Sequence, residues 1–449
     1  MKKIIIILIV ILILGGGAFW YMSSQNQKVD PVTGETTNDF KSFFSFGNEN
    51  NNGNNNGATG TDGEVLPNDT GVIENPPDSN KGKFKQVTDF AVAGVVTFMD
   101  TRPSAEEKVV PPVLPEEGAV GGDATQVTPK VPAKVVVPKV ELPKVDIVPS
   151  MRFVARSNGH IYAQYLDTLA SAKISNTTIP TIHEAIFANE GQFIMYRYLD
   201  QATDKIQTFI GTLGGSTSGS FLPENIESVS TAPSGPQFFY LIPIGNDIAG
   251  YTGSFTDNKK TQIFTSAFTE WIPQWAQANT IFMTTKPSYL FSGSVYALNK
   301  LSGGFTKVFG GINGLTTLAS TTSNSILYSG TDNDIPLLGV YNITSHKLST
   351  LGLNTISDKC VWSANGIDVY CAVPNEIPAG QYPDSWYQGL VSFNDSIVKI
   401  DTASLSSITI FDTAEINSLD AVNLTLSPDE NTLFMINKKD STLWSLELD

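Results

Sequence analysis

The chain has 449 residues, of which 41% are hydrophobic and 16% are Asp, Glu, Lys or Arg. This is long enough for one large repeat fold or several domains, and the low charged fraction favours strands and turns over long salt-bridged helices. The net charge is −16, from 28 basic and 44 acidic residues. Such an acidic chain repels phosphate backbones, which argues against nucleic-acid binding.

The first 22 residues predict a membrane anchor. Residues 4–22 carry no charge, and as a helix they would be about 28 Å long, close to one hydrocarbon core. Lys2 and Lys3 precede this span and the next basic residue is Lys28, so the positive-inside rule predicts a single-pass membrane protein with a cytoplasmic N-terminus and an extracytoplasmic C-terminal domain. The alternative is a cleaved signal peptide, for which residues 16–18 offer small side chains.

Residues 23–83 predict a flexible tether, because their Asn- and Gly-rich composition cannot bury a core. Within it, the sequence DFKSFFSF at 39–46 has four phenylalanines, and a membrane or partner contact and no role at all both remain open. A second irregular segment at 101–150 is rich in Pro, Lys and Val. Its prolines disfavour helix and central strand, so we interpret it as an extended insertion in a domain spanning 84–449, with a ligand role as the alternative.

From Met151 onward, short runs of alternating apolar residues are separated by turns, which predicts an all-β fold. A strand–turn–strand pattern recurs, with starts at His183, Ser228, Glu270, Leu315, Lys359 and Val422. Successive starts are 42 to 45 residues apart, except for a last interval of 63 that contains the insertion NEIPAGQYPDSWYQG. A period near 45 with four short strands per unit is typical of a β-propeller.

The last repeat lacks a fourth strand, since the chain ends at STLWSLELD. A propeller must close its ring, because an open last sheet exposes an edge. The segment KFKQVTDFA near residue 84 predicts the missing strand, and VAGVVTFM after it predicts the first strand of the first blade. We therefore predict seven four-stranded blades, with the N-terminal strand closing the last blade and the 101–150 insertion between the first two strands of blade 1.

Two turns carry a family resemblance. SPDENTLF at 427–434 and APSGPQFFYL at 232–241 resemble the Ser-Pro-Asp-Gly hairpins of TolB-type, WD40-like propeller repeats. In that family an aromatic-rich strand follows the turn, and Phe434 and residues 238–240 occupy that place. The likeness covers about residues 84–449 as a pattern, but the Gly-His and Trp-Asp dipeptides of true WD40 repeats appear only as Gly159-His160. The chain also resembles uncharacterised bacterial membrane-anchored propeller proteins, which implies topology and not activity.

Catalytic and cofactor motifs are missing from the sequence. The three histidines fall in different predicted blades, and no zinc-protease, nucleophile-elbow or phosphate-loop motif occurs. Several aspartates fall in predicted turns or strand ends, where such residues commonly bond their own backbone: Asp200, Asp204, Asp257, Asp332, Asp334, Asp384 and Asp395. We predict no catalytic, cofactor-binding or metal-binding residues, although a site assembled across blades stays open.

Cys360 and Cys371 are the only cysteines. Ten residues separate them, so a CxxC redox or zinc motif is absent. Asn365-Gly366 predicts a two-residue hairpin turn that sets the two cysteines opposite each other as a hydrogen-bonded pair, within disulfide range. We predict a structural disulfide, with buried free thiols as the alternative.

The loop GQYPDSWYQG at 380–389 is the candidate binding surface, through Tyr382, Asp384, Trp386 and Tyr387. Aromatic side chains on a loop that projects from a rigid scaffold suit a protein, peptide or sugar contact. The alternative is that these rings fold back over their own blade. For the tryptophans of EWIPQW, at 271 and 275, the core interpretation is favoured.

Together these features predict a membrane-anchored, extracytoplasmic propeller that acts as a non-enzymatic binding or scaffold module for a protein or peptide partner at the cell envelope. The competing interpretation is an exported enzyme or carbohydrate-binding propeller with its site in the axial funnel. These differ in one respect: an enzyme requires convergent carboxylates or histidines with shifted pKa values at the central channel.

Overall fold

A computed structural model describes residues 72–73, 83–104, 145–168, 170–213, 219–412 and 419–448. The predicted membrane anchor at 1–22 lies outside these ranges, as do most of the predicted tether and its phenylalanine cluster. No helix within the described ranges is long and apolar enough to cross a membrane.

The described residues form seven antiparallel sheets arranged as the blades of a propeller. The chain begins with β1 (Val72–Ile73) and β2 (Phe84–Gln86). Blade 1 has β3 (Val92–Pro103), β4 (Val145–Ala155), β5 (Ile161–Tyr165) and β6 (Ser171–Lys173). Blade 2 has β7 (Ile182–Ala188), β8 (Phe193–Asp200), β9 (Lys205–Thr212) and β10 (Gly219–Phe221). Blade 3 has β11 (Ser228–Thr231), β12 (Gln237–Ile244), β13 (Asp247–Ser254) and β14 (Thr261–Ser266).

Blades 4 to 7 continue the same meander. Blade 4 has β15 (Trp271–Gln277), β16 (Thr280–Thr285), β17 (Ser292–Asn299) and β18 (Phe305–Asn313). Blade 5 has β19 (Thr316–Ala319), β20 (Ser325–Asp332), β21 (Ile335–Asn342) and β22 (Lys347–Thr350). Blade 6 has β23 (Cys360–Trp362), β24 (Asp368–Pro374), β25 (Asp395–Asp401) and β26 (Ser406–Phe411). Blade 7 has β27 (Ala421–Leu426), β28 (Thr432–Asn437) and β29 (Leu443–Glu447). Helical structure within the described residues is limited to the 3-10 turn Ser357–Lys359 and α1 (Asp384–Tyr387).

The predicted ring closure is confirmed. Strand β2 pairs with β29 and completes blade 7, with Phe84 opposite Leu446. The inner strands of blades 2 to 7 begin within one residue of the predicted repeat starts. The repeat period therefore located the blades, because each blade needs the same four strands to span from the channel to the outer surface.

The irregular segments are shorter than predicted. Strands β3 and β4 remain paired as far as Pro103 opposite Val145, so the outer parts of the 101–150 segment are strand. Pro149 lies within β4, opposite Met99. Val72–Ile73, predicted as tether, instead pairs with the outer strand of blade 1. Both differences have one cause, since an extended backbone can pair with any open strand edge, whatever its local composition.

The core lies between the blades. The second strand of each blade is covered on both faces, and in β12 residues Phe238 to Leu241 are all buried. Trp271 and Trp275 are 8% and 3% exposed and pack between blades 3 and 4, which confirms the core interpretation of both. Stacked sheets of this kind bury apolar side chains of facing blades against each other.

The disulfide Cys360–Cys371 is present, and the predicted opposition of the two cysteines on β23 and β24 is confirmed. The turn differs from the prediction. The Ser363 amide bonds the Asp368 carbonyl, while Asn365 Oδ1 accepts the amides of Ile367 and Asp368. The hydrogen-bonded residue pair nearest the turn is therefore Ser363 and Asp368, one residue further from the turn than predicted. Because hydrogen-bonded and non-hydrogen-bonded pairs alternate along the hairpin, the cysteines form a non-hydrogen-bonded pair, with Cα atoms 4.0 Å apart.

The Ser-Pro-Asp turn of blade 7 also joins two blades. Ser427 donates to Asp429 at 2.6 Å and accepts the Thr432 amide at 2.9 Å. The neighbouring Glu430 reaches blade 6, where it accepts the Ser363 hydroxyl at 2.8 Å and the Ala364 amide at 2.6 Å. The turn that carries the family resemblance therefore also fastens the disulfide hairpin.

Candidate functional site

Residues 375–394, between β24 and β25, form an insertion at one end of blade 6. In a four-stranded meander, the loops from second to third strand share one end with the loops that enter the next blade. We call this end of the propeller the insertion face. The 3-10 turn that precedes β23 also lies on it, at the mouth of the central channel.

Aromatic stacking holds the insertion together. The Tyr382 and Phe393 rings stack with centroids 5.7 Å apart, and Trp386 stacks on Phe393 at 6.2 Å. Tyr382 also donates its hydroxyl to the Pro378 carbonyl at 2.6 Å. These rings pack with Ile356 as a small core of their own. The insertion is therefore a folded part of the blade.

The predicted exposed aromatic loop is wrong for two of its four residues. Tyr382 is fully buried and Trp386 is 2% exposed, so neither ring can contact a partner. The fold-back alternative holds for both, because the stacked core hides more apolar area than an extended loop would. Asp384 and Tyr387 are half-buried, and Asp384 accepts the Tyr289 amide at 2.6 Å.

A buried charged cluster lies beneath the insertion. Lys359 Nζ is 2.8 Å from Asp395 Oδ2 and 2.6 Å from Asp420 Oδ1, and all three side chains are fully buried. Lys359 also donates to the Ala421 carbonyl at 2.9 Å and lies over the Trp386 ring at 5.1 Å. Charges taken out of water require such partners, and these partners join blades 6 and 7.

Asp420 anchors the insertion to this cluster. Its carboxylate accepts the Trp386 indole N–H at 3.2 Å, the Ser392 hydroxyl at 3.1 Å and the Phe393 amide at 3.1 Å. From blade 7, Lys438 donates to the Trp386 carbonyl at 2.7 Å. One carboxylate therefore holds three groups of the insertion in place.

The two buried carboxyl groups have opposite pKa shifts. Burial raises the pKa of Asp395 to about 6, although the charge of Lys359 opposes this. Burial acts on Asp420 in the same direction, but Lys359 and the bonds from Phe393 and Trp386 outweigh it and its net pKa lies below the usual range. Because none of the three charged side chains is exposed, the cluster has a structural role and is not accessible to a substrate.

Groups with shifted pKa values surround the channel mouth in separate places. Desolvation by the surrounding residues raises the pKa of Asp358, while hydrogen bonds from Tyr387 and Thr316 act in the opposite direction. On blade 3, burial and then the charge of Glu270 raise the pKa of Glu227. On blade 2, burial lowers the pKa of His183, as do nearby arginines.

The described residues hold no group of three or more metal-ligand side chains placed for an ion.

Three large apolar side chains project from the insertion face: Leu290 is 70% exposed, Phe291 72% and Leu390 73%. We call them the apolar patch. The two loops that carry them are connected, because Asp384 accepts the Tyr289 amide and the Leu390 amide donates to Ser385 at 2.9 Å. The apolar patch was not predicted from the sequence, where its signal is the Tyr-Leu-Phe run in a turn-rich stretch, KPSYLFSG.

No protein family matches the chain in sequence, and no curated protein does. Solved propeller structures resemble it, TolB among them, as the repeat turns predicted. The oligogalacturonate lyase of Vibrio parahaemolyticus is 7% identical, with a TM-score of 0.47 over 67% of this chain and 86% of the lyase. TolB of Acinetobacter baumannii is 12% identical, with a TM-score of 0.39 over 67% and 77% of the respective chains. Such likeness concerns the fold alone.

Proposed function

We propose that the chain is a non-enzymatic binding module that offers the insertion face to a protein partner at the cell envelope. The observation that carries this proposal is the apolar patch. Single exposed apolar residues are normal on a protein surface, but three that are each more than two-thirds exposed on connected loops support an interaction surface at this end of the propeller.

The base of the patch is suited to binding. Leu390 follows α1, whose Trp386 is bonded to the buried Asp420. A preorganised loop loses less conformational entropy on association than a mobile one. Asp384 lies beside the patch and is half-buried, so the preferred partner has an apolar side chain for the patch and a basic group next to it.

The cell-envelope location is part of the proposal. Residues 4–22 support a membrane anchor, since they are uncharged and long enough to span. The disulfide supports an oxidising compartment outside the cytoplasm. An intact-mass measurement on the purified protein tests whether the anchor is retained or cleaved near residue 18.

Site-specific photo-crosslinking tests the binding face in the native host. Benzoylphenylalanine replaces Phe291 in one variant and Leu301 in the other, which is 75% exposed but lies on the opposite face. We expect a defined crosslinked partner from position 291 only, and Phe291→Asp to reduce recovery of that partner about tenfold. Equal crosslinking from both positions would refute the proposal.

The competing function is a carbohydrate-binding or catalytic propeller, favoured by one contact: a hydrogen bond joins Asp358 and Tyr387 at the channel mouth, where the Asp358 side chain is exposed to a ligand. Direct binding to a panel of oligosaccharides tests this. Binding that is lost in Asp358→Asn, at an unchanged melting temperature, would favour this function over the first. No binding of any oligosaccharide would remove it.

A further inference from the structure

Strand β26 ends the sheet of blade 6, and within the described residues it pairs only with β25. Five of its six residues are exposed and Phe411 is half-buried. Ile408 is 63% and Ile410 37% exposed, and the strand SSITIF carries no charge. Proteins usually shorten, charge or cover such an edge, because its free N–H and C=O groups accept another strand.

The other outer strands carry the usual protection. Lys85, Lys307 and Lys347 lie within β2, β18 and β22. Strand β10 has three residues, and β14 directly follows two lysines and has its phenylalanine buried. Strand β26 alone among these is long, uncharged and exposed along its length.

The corresponding edge of blade 1 already holds an added strand. There β6 is the fourth strand of its blade, as β26 is of blade 6, and Val72 and Ile73 pair antiparallel with Ala172 and Ser171. The outer edge in this propeller therefore has the geometry to accept a fifth strand from an extended segment.

Carboxylates flank β26 at both ends. Asp401 pairs with Ser406 at the start of the strand, and Asp412 follows its last residue. Hydrogen bonds from the Ser404 and Ala403 amides keep the pKa of Asp401 below its usual range, so it is ionised. The one base on β25, Lys399, is paired with Asp368 at 2.9 Å. The edge is thus neutral in the middle and acidic at its ends.

These charges decide between two occupants. In a symmetric antiparallel pair of two copies, the start of one β26 lies opposite the end of the other, which brings Asp401 of each copy towards Asp412 of its mate. Like charges directly opposite are destabilising, and each chain carries a net −16. A foreign strand with basic ends has no such conflict.

We propose that β26 binds an extended segment of a partner protein by strand addition, and that this segment has apolar residues at alternate positions and a lysine or arginine at each end. Backbone hydrogen bonds supply the register, Ile408 and Ile410 supply apolar contact, and the flanking aspartates select the basic ends. This surface is on the outer edge of the ring, separate from the apolar patch.

Fluorescence anisotropy with the full chain in detergent tests the proposal. The probe is a labelled peptide, Lys-Thr-Val-Thr-Val-Thr-Val-Lys, and its controls have glutamate ends or proline in place of every threonine. We expect the glutamate-ended peptide to bind about tenfold more weakly and the proline peptide not to bind, since proline has no N–H to donate. No saturable binding of the lysine-ended probe would overturn the proposal.

Two matched variants locate the site. Ile408→Lys charges β26, and Leu348→Lys makes the same change on β22, where Leu348 is 45% exposed. Ile408→Lys should weaken probe binding about tenfold, whereas Leu348→Lys should stay within about twofold of the parent. Both replace exposed side chains, so melting temperatures should be unchanged. Equal affinity in both variants, or a dimer of the parent chain that Ile408→Lys dissolves, would refute the assignment. Neither result bears on the apolar patch.

Discussion

Two junctions between neighbouring blades are built from different chemistry. Between blades 3 and 4, Trp271 meets the rings of Phe264, Tyr296 and Phe305 at 5.4 to 6.1 Å, nearly at right angles. Between blades 6 and 7, the centre is the ion cluster of Lys359 with two aspartates. The first junction needs only apolar residues of suitable size, whereas the second depends on the exact pairing of charges.

The two junctions differ in whether they can fix the position of an inserted loop. An apolar junction is non-directional, so it stacks blades without fixing a loop above them. The charged junction directs Asp420 towards the Trp386 indole, the Ser392 hydroxyl and the Phe393 amide. The candidate binding face therefore depends on the junction that is more vulnerable to a single substitution.

The largest expected effect comes from Lys359→Met. It leaves two buried carboxylates without their cation and should lower the free energy of unfolding by about 4 kcal/mol, measured by urea denaturation. The control is Lys286→Met, which breaks the partly exposed pair with Glu270 and should cost less than about 1 kcal/mol. Similar losses of unfolding free energy in both variants would show that the buried ion cluster contributes no more to stability than a partly exposed ion pair.

The second effect concerns the staple beside this junction. Replacing both Cys360 and Cys371 by alanine should lower the free energy of unfolding by about 3 kcal/mol, since the bridge restricts the unfolded chain. The parent protein, unfolded under reducing conditions, should show the same loss. A loss of under about 1 kcal/mol would contradict a stabilising role for the bridge.

A pH-dependent effect should distinguish the junctions. The folded pKa of Asp395 is raised to about 6 from an ordinary 3.8, so the folded state takes up the proton first as pH falls. The stabilisation of the folded state that comes from protonating Asp395 is therefore present at low pH and is lost as the pH rises through about 6. Relative to Asp395→Asn, the parent should gain about 1.3 kcal/mol of stability from pH 7 to pH 5. A pH-independent difference between the two proteins would count against this pKa.

The smallest effect is expected at the apolar junction. Ile281 is fully buried between blades 3 and 4, and Ile281→Val should lower the free energy of unfolding by about 1 kcal/mol. This loss should be the same at pH 5 and pH 7, because no charge is involved. A loss that varies with pH would show that the two junctions are coupled.

Elements with a local signal were predicted well. The blade positions followed from the period, and the closing strand followed from the need to cover an edge. The opposition of the two cysteines followed from the turn at Asn365-Gly366. The turn itself differs from the prediction, so the cysteines form a non-hydrogen-bonded pair and not the hydrogen-bonded pair that was expected. The core interpretation of the blade 4 tryptophans is confirmed, since both pack between blades 3 and 4.

The site was predicted less well, for a physical reason. Asp395 was interpreted as a turn residue, yet it is fully buried against Lys359, and 25 residues further along Asp420 completes the cluster. Tyr382 and Trp386 were placed on the surface because their loop interrupts the strand pattern. Burial of such groups depends on partners from other blades, which local spacing does not reveal.

The sequence alone was sufficient to predict the all-β repeat, the seven blades, their closure and the opposition of the cysteines, because these depend on periodicity and on the strand geometry of neighbouring residues. The tertiary structure was needed to show that the insertion folds inward, that Leu290, Phe291 and Leu390 are exposed, and that β26 pairs only with β25 among the described residues. These features depend on which distant side chains meet, and such contacts are set by the closed ring as a whole.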